Sequence, residues 1–284
     1  MRTLKLLVSM AVYIADSSWR VALRLIHRQT APSCVVLYYH SVPDEQRRAF
    51  AGQMSILARL TVPISVERTP RLLSGRRYSG VTFDDGFEDV VNNAIPELEK
   101  RSIPATVFVT TGYLGEAAHW WPESAPQRRQ KIANAEKWQR LRSDRISIGS
   151  HTITHPHLPC MTENDARREL QGSRAMLQAM LNRDIRTFSF PYGEYNDELI
   201  RWCRDAGYER VFTITPANAF RSEGEQVTGR VQVEPTDWRL EFRLKLLGAY
   251  RWLPYAMLWK RKLLARLSTR DHSRPITISP TRAR

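Results

Sequence analysis

The chain has 284 residues, 42% hydrophobic and 25% charged, with a formal net charge of +14. That length and composition fit a globular protein with one large core or two small ones, and the basic excess points to an anionic partner or a merely basic surface. Cys34, Cys160 and Cys203 are widely separated and form no Cys-x-x-Cys pair, which argues against a cysteine zinc site or a disulfide framework.

Arg2 and Lys5 precede an apolar run from Leu6 to Ala15. The run is shorter than the ~20 residues a spanning helix needs, and Ala15-Asp16-Ser17 is a poor signal cleavage site. Arg20, Arg24 and Arg28 follow at helical spacing among Val21, Leu23, Leu25 and Ile26. Residues 1–30 are therefore predicted to form an amphipathic interfacial helix. Ala31-Pro32-Ser33 breaks it.

Apolar β-type segments then alternate with helical ones. Strands are predicted at 34–39, ending at His40, at 62–66, at 80–83 running into Asp84 and Asp85, and at 105–110. A helix is expected over 45–60 with Phe50, Met54 and Leu57 on one side, and a short one from Pro96. The stretch 112–142 reads as a loop holding Trp120 and Trp121, then a basic helix after Pro126. A strand at 146–148 leads to His151. Thr162 and Asp165 resemble a capping pair for a helix to Leu181, with Leu170, Met176, Leu177, Met180 and Leu181 as its apolar face. A strand at 187–190 runs into Pro191-Tyr192-Gly193, a helix follows over 197–206 and closes at Gly207, and strands at 211–214 and 231–233 come last. This alternation predicts an α/β protein with a parallel sheet. Its chemically capable residues, His40, Asp84, Asp85, His151, His155 and Tyr192, all follow strand ends, where parallel barrels gather their active sites. An open doubly wound sheet would place them there too, but no Gly-x-Gly-x-x-Gly loop is present.

Asp84-Asp85-Gly86 alone is a common turn, and His151-Thr152-Ile153-Thr154-His155 alone is consistent with two exposed imidazoles at a helix start. Together they form a metal set: one aspartate and two histidines as ligands with positions left open, and a second aspartate beside them as general base. Spacing does not decide which aspartate plays which part. A cation in such a site brings the pKa of a coordinated water to about 7, making it a nucleophile.

Thr82-Phe83-Asp84-Asp85-Gly86, His151-Thr152-Ile153-Thr154-His155 and Phe188-Ser189-Phe190-Pro191-Tyr192-Gly193 resemble, in order, the first three motifs of the polysaccharide deacetylases, the carbohydrate esterases with the nodulation-type deacetylase domain. The similarity runs from about Val35 to Val233 and includes Leu37-Tyr38-Tyr39-His40, the segment from Ile103 to Val109, and Ala206-Gly207-Tyr208. The resemblance implies a deformed (β/α) barrel, here with added N- and C-terminal amphipathic helices, and hydrolysis of an N-acyl group, usually N-acetyl on an amino sugar. It implies Asp84 as general base, Asp85, His151 and His155 as ligands of a divalent metal, typically zinc with other divalent ions serving in the family, and the backbone N–H of Tyr192, after Pro191, as an oxyanion donor.

Two positions depart from the family pattern. Many members carry an arginine two residues before the proline of the third motif, where it orients the base; here Ser189 stands there, and Arg230 is the candidate substitute. The late Leu-x-x-His that supplies a general acid is missing, the last histidine being His272 in a polar tail. His40 is proposed instead, as an acid or substrate-orienting group. Trp120 and Trp121 are candidates for stacking on sugar rings, and His157 for extending the metal loop.

From Trp238 to Leu267 the chain is dense in Leu, Trp, Tyr, Arg and Lys, with Pro254 as a kink. Such a composition suits a helix in a headgroup layer. The expected organisation is a helix over 1–30, a catalytic domain over 31–236, a basic aromatic extension over 237–268 and a disordered tail over 269–284. The expected partners are an N-acetylated glycan and an anionic membrane surface, without nucleic acid, because no nucleic-acid motif accompanies the charge. The expected role lies in exopolysaccharide or lipid-linked glycan synthesis in a bacterial-type cell envelope, peripheral on the inner membrane, with a cytoplasmic location as the alternative. Deformylation or deacylation of another glycolipid, or a catalytically silent glycan-binding scaffold, are the alternative functions.

Overall fold

The computed structural model describes residues 2–222 and 224–259. The tail at 269–284, His272 and the far part of the C-terminal extension lie outside the described residues.

The strands are β1 (Ser33–Tyr39), β2 (Val62–Pro63), β3 (Arg77–Phe83), β4 (Ala105–Val109), β5 (Ile146–Ser150), β6 (Thr187–Ser189), β7 (Arg210–Thr213), β8 (Val227–Gly229) and β9 (Val231–Gln232). The helices are α1 (Arg2–Leu25), α2 (Arg47–Leu60), α3 (Ile95–Glu99), α4 (Ala135–Arg140), α5 (Glu163–Leu181), α6 (Asp197–Asp205) and α7 (Arg239–Leu246). The strands pair in parallel in the order β8-β7-β6-β5-β4-β3-β1-β9. β2 pairs with Tyr78 and Ser79 of β3, below the point where β4 joins the same strand at Val81.

One passage of chain closes the ring. β8 pairs with β7 through Thr213↔Gly229, and β9 pairs with β1 through Leu37↔Val231. Between them lies Arg230, fully buried at the seam. The result is a nearly closed parallel (β/α) barrel.

Strand alternation explains two cores. Val35, Leu37, Val81, Phe83, Val107, Ile148, Phe188 and Val211 face the helices and join the large outer core. Cys34, Val36, Tyr78, Phe108 and Phe212 form a second cluster with Val66 and Phe220. Phe108 needs room beside β5, and Gly149 supplies it: a Cβ there would meet the Phe108 ring at 2.5 Å.

The sequence places most of these elements within a few residues. Three differences have physical causes. The basic helix expected after Pro126 is a single 3-10 turn at Pro126–Arg129, and the α-helix begins later, where the Asn134 side chain caps Lys137 N–H. α5 is capped by Thr162 as expected, but its buried face runs through Ala166, Glu169, Leu170, Ser173 and Leu177. Met176 is exposed, while Ser173 turns inward to bond Ser150 and Tyr208. The strand expected at 62–66 is only Val62–Pro63.

α1 continues through the Arg20 turn to Leu25 and is long and apolar enough to cross a membrane by length and composition. It lies against the barrel along its length. Arg2 pairs with Glu241, Ser9 accepts a hydrogen bond from the Trp252 indole, and Asp16 pairs with Arg77 and Arg251.

Candidate active site

Three strand ends and the β8–β9 seam meet at the C-terminal mouth of the barrel. β3 ends in Asp84 and Asp85, β5 in His151, and β6 in the Pro191 turn. They line a cavity of about 360 Å³ that contains Asp84, Asp85, His151, His155, His40, Trp120, Trp121 and Tyr192. A cavity of that size suits a small-molecule site.

The motif backbones are held in conformations that L-residues seldom adopt. Asp85 (φ 70°), Thr152 (φ 68°), His155 (φ 58°) and Tyr192 (φ 57°) are all left-handed. Such positions cost about 1–3 kcal/mol each and persist where the surroundings enforce them. At the first motif the turn re-aims the two adjacent carboxylates. Gly86 (φ 83°) continues it, packed on the Val109 backbone.

Asp84 faces Arg230. Both guanidinium terminal nitrogens donate to its two oxygens, at 2.7 Å each. Arg230 also donates to Thr82 Oγ1, to Ser189 Oγ and to the Thr213 carbonyl, and lies over the Tyr38 ring at 4.7 Å. Ser189, at the position where the family pattern expects arginine, thus receives the guanidinium from the β8–β9 seam. Burial works to raise the Asp84 carboxyl, but the charge and hydrogen bonds of Arg230 outweigh it and hold the group down at about 2.

Asp85 has the opposite environment. Burial, then the charge of Asp84, push it up to about 8, against the hydrogen bond from Trp121. The Trp121 indole donates to Oδ2 at 3.0 Å, and Oδ1 is buried with no hydrogen-bond partner. The Nε2 atoms of His151 and His155 lie 3.6 and 3.5 Å from that oxygen. Burial lowers both imidazoles, keeping them neutral. His151 Nδ1 lies 2.7 Å from the Ser189 carbonyl, which takes the N–H and leaves Nε2 as a bare lone pair. The His155 ring is stacked on Trp120 at 4.6 Å and met edge-on by Tyr192 at 4.7 Å. One ligand atom from each of Asp85, His151 and His155 lies within 4.8 Å of the others. An orphaned carboxylate oxygen facing two neutral imidazole nitrogens fits a divalent cation.

His40 is half-buried in the cavity wall, edge-on to Trp121 at 5.0 Å, and burial lowers it to about 4 against the pull of Asp84. Trp120 and Trp121 line the cavity and also orient His155 and Asp85. His157 lies outside the ligand cluster: it bonds Glu194 at 2.8 Å and stacks on Tyr192 at 4.0 Å.

Glu169 was not legible as a site residue. Its buried carboxylate accepts the N–H groups of Ile153 and Thr154, at 2.7 and 2.9 Å, and the Thr154 hydroxyl at 2.7 Å. It therefore ties the His151–His155 loop to α5. The available signal was an acid on the apolar side of a helix, adjoining Leu170.

Fold and site together define a parallel (β/α) barrel with a buried candidate metal centre at its C-terminal mouth. Residues 74–211 match the family model described as polysaccharide deacetylase. The chain is 30% identical over 155 residues to a putative polysaccharide deacetylase, YxkH, of Bacillus subtilis, covering 55% of this chain and 51% of that one. It is 26% identical over 152 residues to a poly-beta-1,6-N-acetyl-D-glucosamine N-deacetylase of Staphylococcus aureus, covering 49% of this chain and 48% of that one. Among solved structures, IcaB from Ammonifex degensii superposes with a TM-score of 0.65 at 26% identity, covering 78% of this chain and all of that one. Over these residues the chain is similar to the polysaccharide deacetylase family. It spans about half the length of the curated relatives it matches.

Proposed function

We propose that the chain is a divalent-metal-dependent N-deacetylase of amino sugars in a cell-surface polysaccharide or lipid-linked glycan, working beside an envelope membrane. The observation that carries this reading is the division of labour between adjacent carboxylates: Asp84 is held ionised by Arg230, while Asp85 faces His151 and His155 with an unsatisfied oxygen. The relative that deacetylates poly-beta-1,6-N-acetyl-D-glucosamine, and another from Sinorhizobium fredii named chitooligosaccharide deacetylase, indicate N-acetylglucosamine polymers as the first substrates to try.

Asp85, His151 and His155 would hold the metal, zinc being the first candidate. When bound, the cation supplies Lewis acidity toward water and the acetamide carbonyl. The remaining chemistry falls to the chain. Asp84 is ionised at neutral pH and takes the proton from the attacking water. Arg230 occupies one lone pair on each Asp84 oxygen and leaves others for that proton. Protonated Asp84, kept acidic by the same guanidinium, returns the proton to the departing amine as the C–N bond breaks, giving acetate and a free amino sugar. The Tyr192 N–H is the assigned donor to the developing oxyanion, a contribution of ~10²–10³-fold in comparable sites. His40 is neutral near pH 7, so it serves as a substrate-orienting hydrogen-bond group rather than the acid. Pro191 sets the Tyr192 turn, and the faces of Trp120 and Trp121 border the sugar position.

The apolar, basic α1 supports peripheral attachment to an anionic membrane, which would place the site beside nascent glycan. The reading is tested by screening N-acylated oligosaccharides with purified, metal-loaded protein for released acetate and formate. Acetate release supports it. Formate alone would move the assignment to a deformylase, and metal binding without release of either acid would favour a glycan-binding scaffold.

A further inference from the structure

α1 carries two opposite faces. Leu6, Ser9, Met10, Tyr13 and Asp16 turn toward the barrel and α7. On the other side Leu4, Leu7, Ile14, Val21 and Leu25 are each more than half exposed, and Ala11 and Ser18 complete the stripe at alternating three- and four-residue steps. Trp19 is exposed near its end.

Where α1 passes the start of β3, a cavity of about 330 Å³ opens, lined by Ser17, Arg20, Val21, Arg24, Leu60, Gly75 and Arg77. Arg251 reaches Asp16 from the far side at 3.2 Å. Asp16 also accepts from Arg20 at 2.9 Å and from Arg77 at 3.4 Å, so one carboxylate serves three guanidiniums, and Arg24 adds a fourth beside them. Arg77 is lowered by burial and then by the positive charge of Arg20, with Arg24 contributing, against the pull of Asp16. The cavity is thus short of negative charge and adjoins the apolar stripe.

We infer that this cavity binds the phosphate of an acidic phospholipid headgroup while the Leu4–Leu25 stripe enters the acyl boundary of the same bilayer. The inference deepens the membrane reading above and rests on it. Guanidiniums suit phosphate because their forked N–H groups match its oxygens. Charge complementarity selects the occupant of the stripe. Lys5 and Arg24 are exposed on α1, Arg28 is exposed just beyond its end, and the single acid of the helix, Asp16, is already engaged. A second copy of the helix would bring like charges together, whereas an anionic leaflet neutralises them.

The test is vesicle co-sedimentation of the full chain, with phosphatidylcholine alone and with equal parts phosphatidylcholine and phosphatidylglycerol. Binding to the anionic vesicles alone is expected, with a loss of roughly fivefold for Arg24→Gln and about 30-fold for Arg20→Gln/Arg24→Gln. Ile14→Glu/Val21→Glu is expected to abolish binding. Acetate release from a soluble oligosaccharide, unchanged in all variants, establishes that the barrel is folded and leaves the deacetylase reading standing whatever the vesicles show. Equal binding to both vesicle types, or arginine variants that bind like wild type, would overturn the headgroup site while keeping the membrane reading. No vesicle binding would overturn both, whether glycerol phosphate and inorganic phosphate stabilise the protein thermally or sedimentation shows a dimer lost in Ile14→Glu/Val21→Glu.

Discussion

Arg230 and Asp84, separated by 146 residues, meet through two hydrogen bonds of 2.7 Å inside the barrel. The pairing exists because β8 and β9 bind opposite neighbours and leave Arg230 between them, where the ring closes. Fold closure and the ionisation of the proposed base are therefore one structural feature.

Removing either partner strands a buried charge. Arg230→Met should destabilise the protein by about 3–5 kcal/mol, and Asp84→Asn by a similar amount through the orphaned guanidinium. Arg230→Met/Asp84→Asn should recover much of that stability without recovering turnover. Urea unfolding of the four proteins measures the coupling, and additive losses would contradict it.

Glu169 should control the metal loop without touching metal. Glu169→Ala leaves two backbone N–H groups without their acceptor, at about 1–3 kcal/mol. Because the loop carries His151 and His155, metal affinity should fall about 10–100-fold. Isothermal titration with zinc reads the affinity directly. An unchanged affinity with reduced stability would limit Glu169 to a folding role.

Metal should stabilise the fold through the same three side chains. At a hundredfold excess over Kd the gain is about 2.7 kcal/mol. Thermal unfolding with and without chelator should show it in wild type and lose it in His151→Ala and Asp85→Ala. An equal shift in the variants would place the metal elsewhere.

The chelated protein should be acid-labile in a defined order. His40 moves from 6.5 to about 4 through burial, and burial also lowers His151 and His155. The unfolded chain thus binds histidine protons that the folded one refuses, so the histidine share of the stability is full above pH 6.5 and declines as pH falls below it, the His40 part being exhausted near 4, while Asp85, raised to about 8, contributes with the opposite sign and loses its share as pH rises toward 8. Asp84 acts later: its value shifts from 3.8 to about 2, so its contribution is present above 3.8 and lost as pH falls toward 2. Unfolding free energies across pH, compared with His40→Asn, should show a shallower slope between 6.5 and 4 in the variant; parallel curves would contradict the assignment.

Much of this arrangement was legible in the sequence. The apolar runs ending at His40, Asp84, His151 and Pro191 located both the strands and the mouth of the barrel, because side-chain character and chemical residues follow local spacing. Arg230 was only a candidate, since its partner depends on which strands close the ring. The turns at Asp85, Thr152, His155 and Tyr192 use left-handed backbone without glycine, which no residue pattern advertises. Glu169 and Ser173 hid in an apolar helix face, and Met176 was drawn into it because hydrophobicity stood in for unseen polar contacts. The apolar run of α1 suggested an interface, but its docking through Ser9 and Asp16 is a tertiary feature.

The most direct measurement is acetate released per bound metal from N-acetylglucosamine oligosaccharides, for wild type and Asp84→Asn at equal metal content. Wild type should turn over, and the variant should fall by at least ~10²-fold while keeping its metal. Equal rates at equal metal content would contradict the assignment of Asp84 as the proton acceptor and, with it, the proposed chemistry.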